Sequence, residues 1–497
     1  MLFNSYSFIL IFLPGVFLVF HGLKRRGRER GAFAFLAAAS LAFYGWWDPR
    51  YLLLLALLIL ANFAVARWLV RNSAAPRPMA RAVLALGLLG NLTTLGFFKY
   101  ANFFVDTADQ LFGLDLVLAH ILLPLGISFF TFQKIALLID AYRGKVQSLD
   151  FLDYVLFVTF FPQLIAGPIV HHSEVMPQFK ARRSVGADGV ALGLTVFAMG
   201  LSKKVLLADT LALYGSPVFD AASWGVRIDA ATAWLGALAY TLQLYFDFSG
   251  YSEMAIGAAL LFGIQLPVNF ASPYKALSII DFWRRWHMTL SRFLRDYVYI
   301  PVGGNQKGPA RRYVNLFLTM VLGGFWHGAG WTLILWGALH GCYLMANHVW
   351  RSLRRRYGCA GDVPHGARLL AARALTFFAV VIGWVLFRAD DVGSALTLLH
   401  SMAGLDGWES APSTGAILDR QAAALLIAPL LVLVWLAPNM QEITGYDPMP
   451  QSRAVRAVKG LRASWQLSPQ WAVALGCLLA ISLLSLSKVS EFLYFQF

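Results

Sequence analysis

The chain has 497 residues, 58% hydrophobic and only 13% charged, with a mean hydropathy of +0.61. Soluble globular proteins average about 45–50% apolar and about 25% charged residues, and one aqueous core stops growing near roughly 250–300 residues, so a soluble enzyme is excluded and lipid is the solvent for most of this chain. The net charge of +15 falls mainly in short gaps between apolar runs, which is the pattern of membrane orientation and not of nucleic-acid binding.

The first apolar run, residues 6–20, has no positive residue before it and is followed by Lys24, Arg25, Arg26, Arg28 and Arg30. A cleavable signal has the opposite polarity, so this run is expected to stay as a span with its N-terminus outside. Further apolar runs follow at 32–47, 51–69, 82–98, 118–139, 151–169, 189–211, 231–263, 313–350, 369–387, 423–437 and 470–487. At roughly 20 residues per span, with the longest runs counted as more than one helix, they predict an all-α polytopic protein of about 11–13 transmembrane or partly inserted helices. The basic clusters at 24–30, 67–81 and 351–373 read as cytoplasmic, and the loop 99–117, with Asp106, Asp109 and Asp115, reads as external. Alternation fails between 140 and 190, as re-entrant or broken helices would cause. With no low-complexity linker, internal repeat or soluble domain, residues 1–497 read as a single membrane-embedded domain.

Three segments carry chemistry. In DFWRRWHMTLSRFLRDYVYIPVGGNQKG, residues 281–308, Phe282, Trp286, Leu290, Phe293 and Tyr297 share one helical face. Arg284, Arg285, Arg292 and Arg295 lie opposite, with His287 on the flank. This predicts an amphipathic helix in the membrane interface, in which His287 is either a boundary residue or a functional one. The second segment, VLGGFWHGAGW at 321–331, lies within a stretch long enough for two helices joined by a tight turn. His327 stands there among glycines, roughly 20 Å of helix from Arg312. An ionisable group so deep is a functional hypothesis; the structural alternative is a neutral histidine locking two helices. The third, YTLQLYFDFSGYS at 240–252, sets Gln243, Tyr245, Asp247 and Ser249 in an otherwise apolar run. Asp247 must face the protein interior, to pair with an arginine, orient a histidine or bind a cation. Pro124, Gly126, Ser128, Gln133 and Lys134, then Pro162, Gln163, Gly167 and Pro168, mark kinked helices around a polar interior.

The missing motifs narrow the chemistry. There is no Walker loop, no G-x-S-x-G elbow, no His/Cys/Asp cluster with metal spacing and no tight carboxylate pair. Cys342, Cys359 and Cys477 likewise have no metal-ligand spacing and are too few for a disulfide framework. No metal and no tightly bound cofactor are expected. A deep histidine suits removal of a hydroxyl proton. Acyl transfer from a thioester needs little more than that base, an oxyanion donor and positioning of both substrates. An exporter would share the wet core, but would normally carry a proton-relay chain or paired repeats.

RWHMTLSRFLRDYVYIPVGGN (285–305), GGFWHGAGW (323–331), FFKYANFF (97–104) and LPLGISFFTFQ (123–133) resemble the membrane-bound O-acyltransferase family. Within it they look most like the bacterial alginate O-acetylation branch. FFPQLIAGPIV (160–170), YFDFSGYSEMAIG (245–257), LPVNFASPY (266–274), WVLFRADD (384–391) and FLYFQF (492–497) match too, so the resemblance runs along essentially the whole chain. The C-terminal matches favour this branch over the related D-alanyl transferases of teichoic acid. The resemblance implies a ring of tilted helices around a central funnel, with His327 as the family's essential histidine and His287 as its second. Arg284, Arg285, Arg292 and Arg295 are then candidates for the phosphates of acetyl-coenzyme A, with anionic lipid as the competing destination. The implied activity is relay of acetyl groups from a cytoplasmic donor across the bacterial inner membrane. A serine-esterase-like extracytoplasmic partner would pass them to an exopolysaccharide, alginate first, with cellulose or peptidoglycan as alternatives. D-alanyl transfer from a carrier protein and polysaccharide export remain the competing classes.

Overall fold

The structure is a computed structural model that describes residues 1–73, 76–116, 118–119, 121–180, 185–358, 365–408, 417–448, 464–486 and 492–493. Cys359 and residues 494–497 of the terminal motif lie outside the described residues. All regular structure among the described residues is helical. The chain divides into two compact units, one of residues 1–201, 251–267 and 467–495, the other of 202–250, 268–466 and 496–497.

The first unit begins with α1 (Ser7–Arg25), α2 (Glu29–Gly45), α3 (Pro49–Arg71) and α4 (Arg77–Phe112). Asp48 caps α3 by accepting a hydrogen bond from the Arg50 amide, and Pro49 sits at the first helical position, where its missing N–H costs nothing. α3 and α4 are joined inside by Asn62 and Asn91, whose amide groups bond each other at 2.6 Å. Leu53, Leu57 and Leu60 on α3 and Leu86, Leu89 and Leu92 on α4 stay exposed, as side chains dissolved in lipid should. α4 continues through a π-helical stretch to Phe112, so Asp106 and Asp109 are helical and the expected loop begins only at Gly113.

After α4 the apolar runs break. α5 (Ile127–Tyr142) starts at Gly126, whose φ of +72° favours glycine and where a Cβ would stand 2.8 Å from the Leu164 carbonyl oxygen. The run 151–169 is divided at Phe160, because Pro162 begins a new turn, leaving α6 (Phe151–Thr159) and the short turn Phe161–Leu164. α7 (His172–Lys180) follows. α8 (Ala187–Ser223) and α9 (Ala230–Leu261) each contribute residues to both units.

The second unit contains α10 (Ile279–Trp283), α11 (Met288–Leu294), α12 (Gly308–His327), α13 (Trp331–Arg356), α14 (Ala367–Arg388), α15 (Val392–Met402) and α16 (Arg420–Leu436). α17 (Pro469–Leu484) returns to the first unit. Among the described residues five helices are long and apolar enough to cross a membrane: α1, α3, α4, α8 and α14. The chain is a multi-pass membrane protein. The other runs fall short of that measure for local reasons. α5 and α6 are cut by Gly126 and Pro162, α9 carries the polar segment 240–252, and α12 and α13 are diluted by arginine, glycine, histidine and tryptophan.

Candidate active site

The predicted amphipathic helix is not continuous. α10 ends at Trp283, and α11 starts at Met288 with His287 at its N-cap. His287 has φ +43° and ψ 53°, a left-handed conformation uncommon outside glycine. Such strain persists only where the surroundings impose it, and it clusters at functional sites. The imposing contacts come from 266–274: Asn269 accepts from the Met288 amide through its backbone oxygen, and its side-chain oxygen faces His287 Nδ1 at 3.1 Å. Phe282, Trp286, Leu290 and Phe293 are buried in this unit and not in lipid, with Trp286 against Trp384 at 4.8 Å and against Phe270 at 5.0 Å. The in-plane anchor is therefore corrected to a broken segment that closes over a core.

His327 is the last residue of α12, buried at the turn into α13. Trp326, Trp336 and Phe387 surround its ring at centroid distances of 5.0, 5.2 and 5.2 Å. His287 stands 6.3 Å away. α12 and α13 form a close antiparallel pair because Gly324 and Gly337 meet backbone: a Cβ on the first would lie 2.2 Å from Leu333 O, and one on the second 2.4 Å from Met320 O.

A cavity of about 850 Å³ opens between these segments, lined by His327 and by Arg284, Arg295, Arg312, Arg351 and Arg355. Arg312 lies in the first turns of α12, and Arg351 and Arg355 lie in the last turns of α13. The hairpin thus gathers guanidinium groups at one end and places His327 at the other, roughly 20 Å apart along α12. The four predicted arginines part company here. Arg284 and Arg295 line the cavity, and Arg295 is bonded to Asp296 at 2.7 Å, which raises its pKa above the ordinary arginine value. Arg285 is buried, donating to Asp281 at 3.0 Å and to the Ala271 carbonyl at 3.2 Å. Arg292 is half-buried and is not among the lining residues.

The polar set on α9 is buried as expected. Asp247 is paired with Lys204 at 2.6 Å, and the same ammonium reaches Asp209 at 2.9 Å. Gln243 packs where Gly215 passes, Tyr245 rests 5.3 Å from the ring of Tyr274, and Ser249 is enclosed two residues beyond Asp247. Sequence reading missed Lys204, whose signal was a Lys-Lys pair inside the run 189–211. It also missed Asn269 and His340. His340 is fully buried on α13, accepts from Trp283 Nε1 at 3.3 Å and packs beside Trp336.

His327 and the strained His287 stand 6.3 Å apart, and the cavity that His327 lines is also lined by five arginines. The membrane-bound O-acyltransferase family model matches residues 44–380. A peptidoglycan O-acetyltransferase of Helicobacter pylori is 45% identical over 82% of this chain and 80% of its own length. A probable alginate O-acetylase, AlgI, of Pseudomonas aeruginosa is 40% identical over the full length of both. A teichoic acid D-alanyltransferase of Bacillus subtilis is 28% identical over 53% of this chain and 68% of its own. The chain belongs to the membrane-bound O-acyltransferase family and is an O-acyltransferase.

Proposed function

We propose that the chain transfers acetyl groups from acetyl-coenzyme A, taken up at the arginine-lined mouth, to an acceptor hydroxyl reached at His327. The observation that carries this reading is the hairpin of α12 and α13, with Arg312, Arg351 and Arg355 at one end of the cavity and His327 at the other. Guanidinium groups suit the phosphates of a nucleotide thioester, and an aromatic, water-poor end suits the thioester carbonyl. His327 accepts the hydroxyl proton as the oxygen attacks that carbonyl; the C–O bond forms, the C–S bond breaks, and the proton leaves with the thiol. His287 assists from the segment beside it.

Arg351 and Arg355 belong to the basic cluster 351–373, on the side that positive charge assigns to the cytoplasm. The donor then enters from the cytoplasm, the membrane is the inner one, and the N-terminus lies outside. The acetyl group passes to an extracytoplasmic, serine-esterase-like partner and from it to a polysaccharide. Alginate is the first reading, supported by full-length similarity to alginate O-acetylases. The 45% identity to a peptidoglycan O-acetyltransferase supports peptidoglycan as the second.

The test is coenzyme A release by the protein in lipid nanodiscs given labelled acetyl-coenzyme A, with and without the partner, beside His327→Ala. Release that needs His327 and leaves label on the partner supports the relay. Activity only with a D-alanyl carrier-protein thioester would replace the donor, and no turnover of either thioester by folded protein would overturn the reading.

A further inference from the structure

Away from the cavity, the first unit brings together three metal-ligating side chains that the function does not use. Asp140, near the end of α5, is fully buried. His171 and His172, at the start of α7, face it: Nε2 of His171 is 2.6 Å and Nδ1 of His172 is 3.8 Å from Asp140 Oδ2. One donor atom from each residue lies within 4.8 Å of the others. Sequence spacing concealed the set because His171 is 31 positions from Asp140, and only the break at 160–170 turns the chain back to it.

We infer that Asp140, His171 and His172 bind a divalent transition-metal ion of the zinc class. Two imidazoles and one carboxylate are a common three-ligand set for zinc, with a fourth position left for water. Bonds of about 2.0–2.2 Å in tetrahedral array put donor atoms roughly 3.3–3.6 Å apart, so the ion replaces the short His171 contact while His172 closes in by a few tenths of an ångström. His171 can make that movement because its side chain is 25% exposed, which also supplies an entry path.

One observation points to a ligand and not to a finished ion pair. His172 is 93% enclosed, with 7% relative exposure, yet its Nδ1 makes no hydrogen bond among the described residues. An idle ring nitrogen so enclosed is costly unless something occupies it. The other nitrogen of His171, Nδ1, lies 2.6 Å from Ser173 Oγ and accepts from the Ser173 amide at 3.4 Å; an ion on Nε2 moves the ring proton to Nδ1, where Ser173 Oγ can accept it. Lys145 at 3.4 Å and Arg143 at 3.8 Å stand on Asp140 Oδ1, the oxygen a metal on Oδ2 leaves over. Both side chains reach solvent and can withdraw as the ion enters.

The test uses full-length, tag-free protein in nanodiscs, stripped with a chelator and titrated with Zn²⁺, with bound zinc counted per chain and Co²⁺ substitution read by visible absorption. About one tight ion per chain is expected, with a tetrahedral Co²⁺ spectrum. His172→Ala and His171→Ala should each weaken binding at least about 100-fold, and Ser173→Ala about 10-fold. His400→Ala, at an exposed His–Asp pair elsewhere, should leave it unchanged. Substoichiometric zinc, or unchanged affinity in both histidine variants, would overturn the site. If His172→Ala does not yield monodisperse protein, the part-exposed His171 decides.

Discussion

Asn269 fixes which nitrogen of His287 carries the proton. The side-chain oxygen of Asn269 faces the Thr289 amide at 3.3 Å, the Thr289 hydroxyl at 2.9 Å and His287 Nδ1 at 3.1 Å. A backbone N–H can only donate, so that atom is the amide oxygen, and Nδ1 of His287 must donate to it. The lone pair is then on Nε2. Asn269→Ala should lower kcat by about 10–100-fold with little change in KM, while Asn269→Asp, which keeps the acceptor, should retain more activity. A parallel loss in both variants, tracking loss of folded protein, would mean that Asn269 only holds the bend at 287.

The two buried histidines of the hairpin should separate in their effects. His327→Ala removes the proposed base and is expected to cut acetyl transfer by about 10²–10⁴-fold without loss of membrane insertion. His340 lines no part of the cavity and braces Trp283. His340→Gln should therefore cost stability more than turnover, as read by thermal unfolding beside coenzyme A release.

The arginines divide in the same way. Arg351→Gln with Arg355→Gln should raise KM for the donor by about 5–20-fold, leave kcat near its starting value and flatten the dependence on salt. Arg285→Gln should leave KM alone and lower the unfolding temperature, since its partners are Asp281 and the Ala271 carbonyl. Equal KM effects from both would mean that the phosphates lie against α10 instead.

What could be read in advance follows from what periodicity encodes. His327 stood out because glycines and an imidazole deep in an apolar run are each unfavourable without a purpose. The all-helical membrane fold followed from run length and composition. The break at His287 was hidden, because Phe282, Trp286, Leu290 and Phe293 have helical spacing whether or not the helix is continuous. Its cause, Asn269, is 18 residues away. Arg285 was grouped with its neighbours because a helical wheel shows direction and not partners. Asp247 was recognisable as a buried charge in need of a counter-charge, but Lys204 could be matched to it only once α8 and α9 were side by side.

Close packing of the hairpin can be tested at its narrowest point. At Gly324 a methyl group would stand 2.2 Å from the Leu333 carbonyl oxygen, which no rotamer change relieves. Gly324→Ala should force α12 and α13 apart, cost about 1–3 kcal/mol and displace His327 from its aromatic cage. Activity should fall further than the loss of folded protein explains. Gly330→Ala, with only the Thr332 hydroxyl 3.8 Å from the new methyl, should be tolerated.

The Lys204 triad gives a prediction in which a second substitution repairs the first. Lys204 is the positive charge shared by Asp247 and Asp209 in a buried setting. Lys204→Met leaves the enclosed Asp247 carboxylate without that counter-charge and should destabilise the protein by about 3–5 kcal/mol, because breaking a buried pair costs more than the pair contributes. Adding Asp247→Asn removes the stranded charge and should recover a large part of the loss, while the part-exposed Asp209 is left to water. Thermal unfolding of the two variants in nanodiscs reads this directly. If the double variant were no more stable than Lys204→Met alone, Asp247 would be held by other groups and the triad would not be a unit. If stability returned without activity, the charge on Asp247 would serve the reaction as well as the fold.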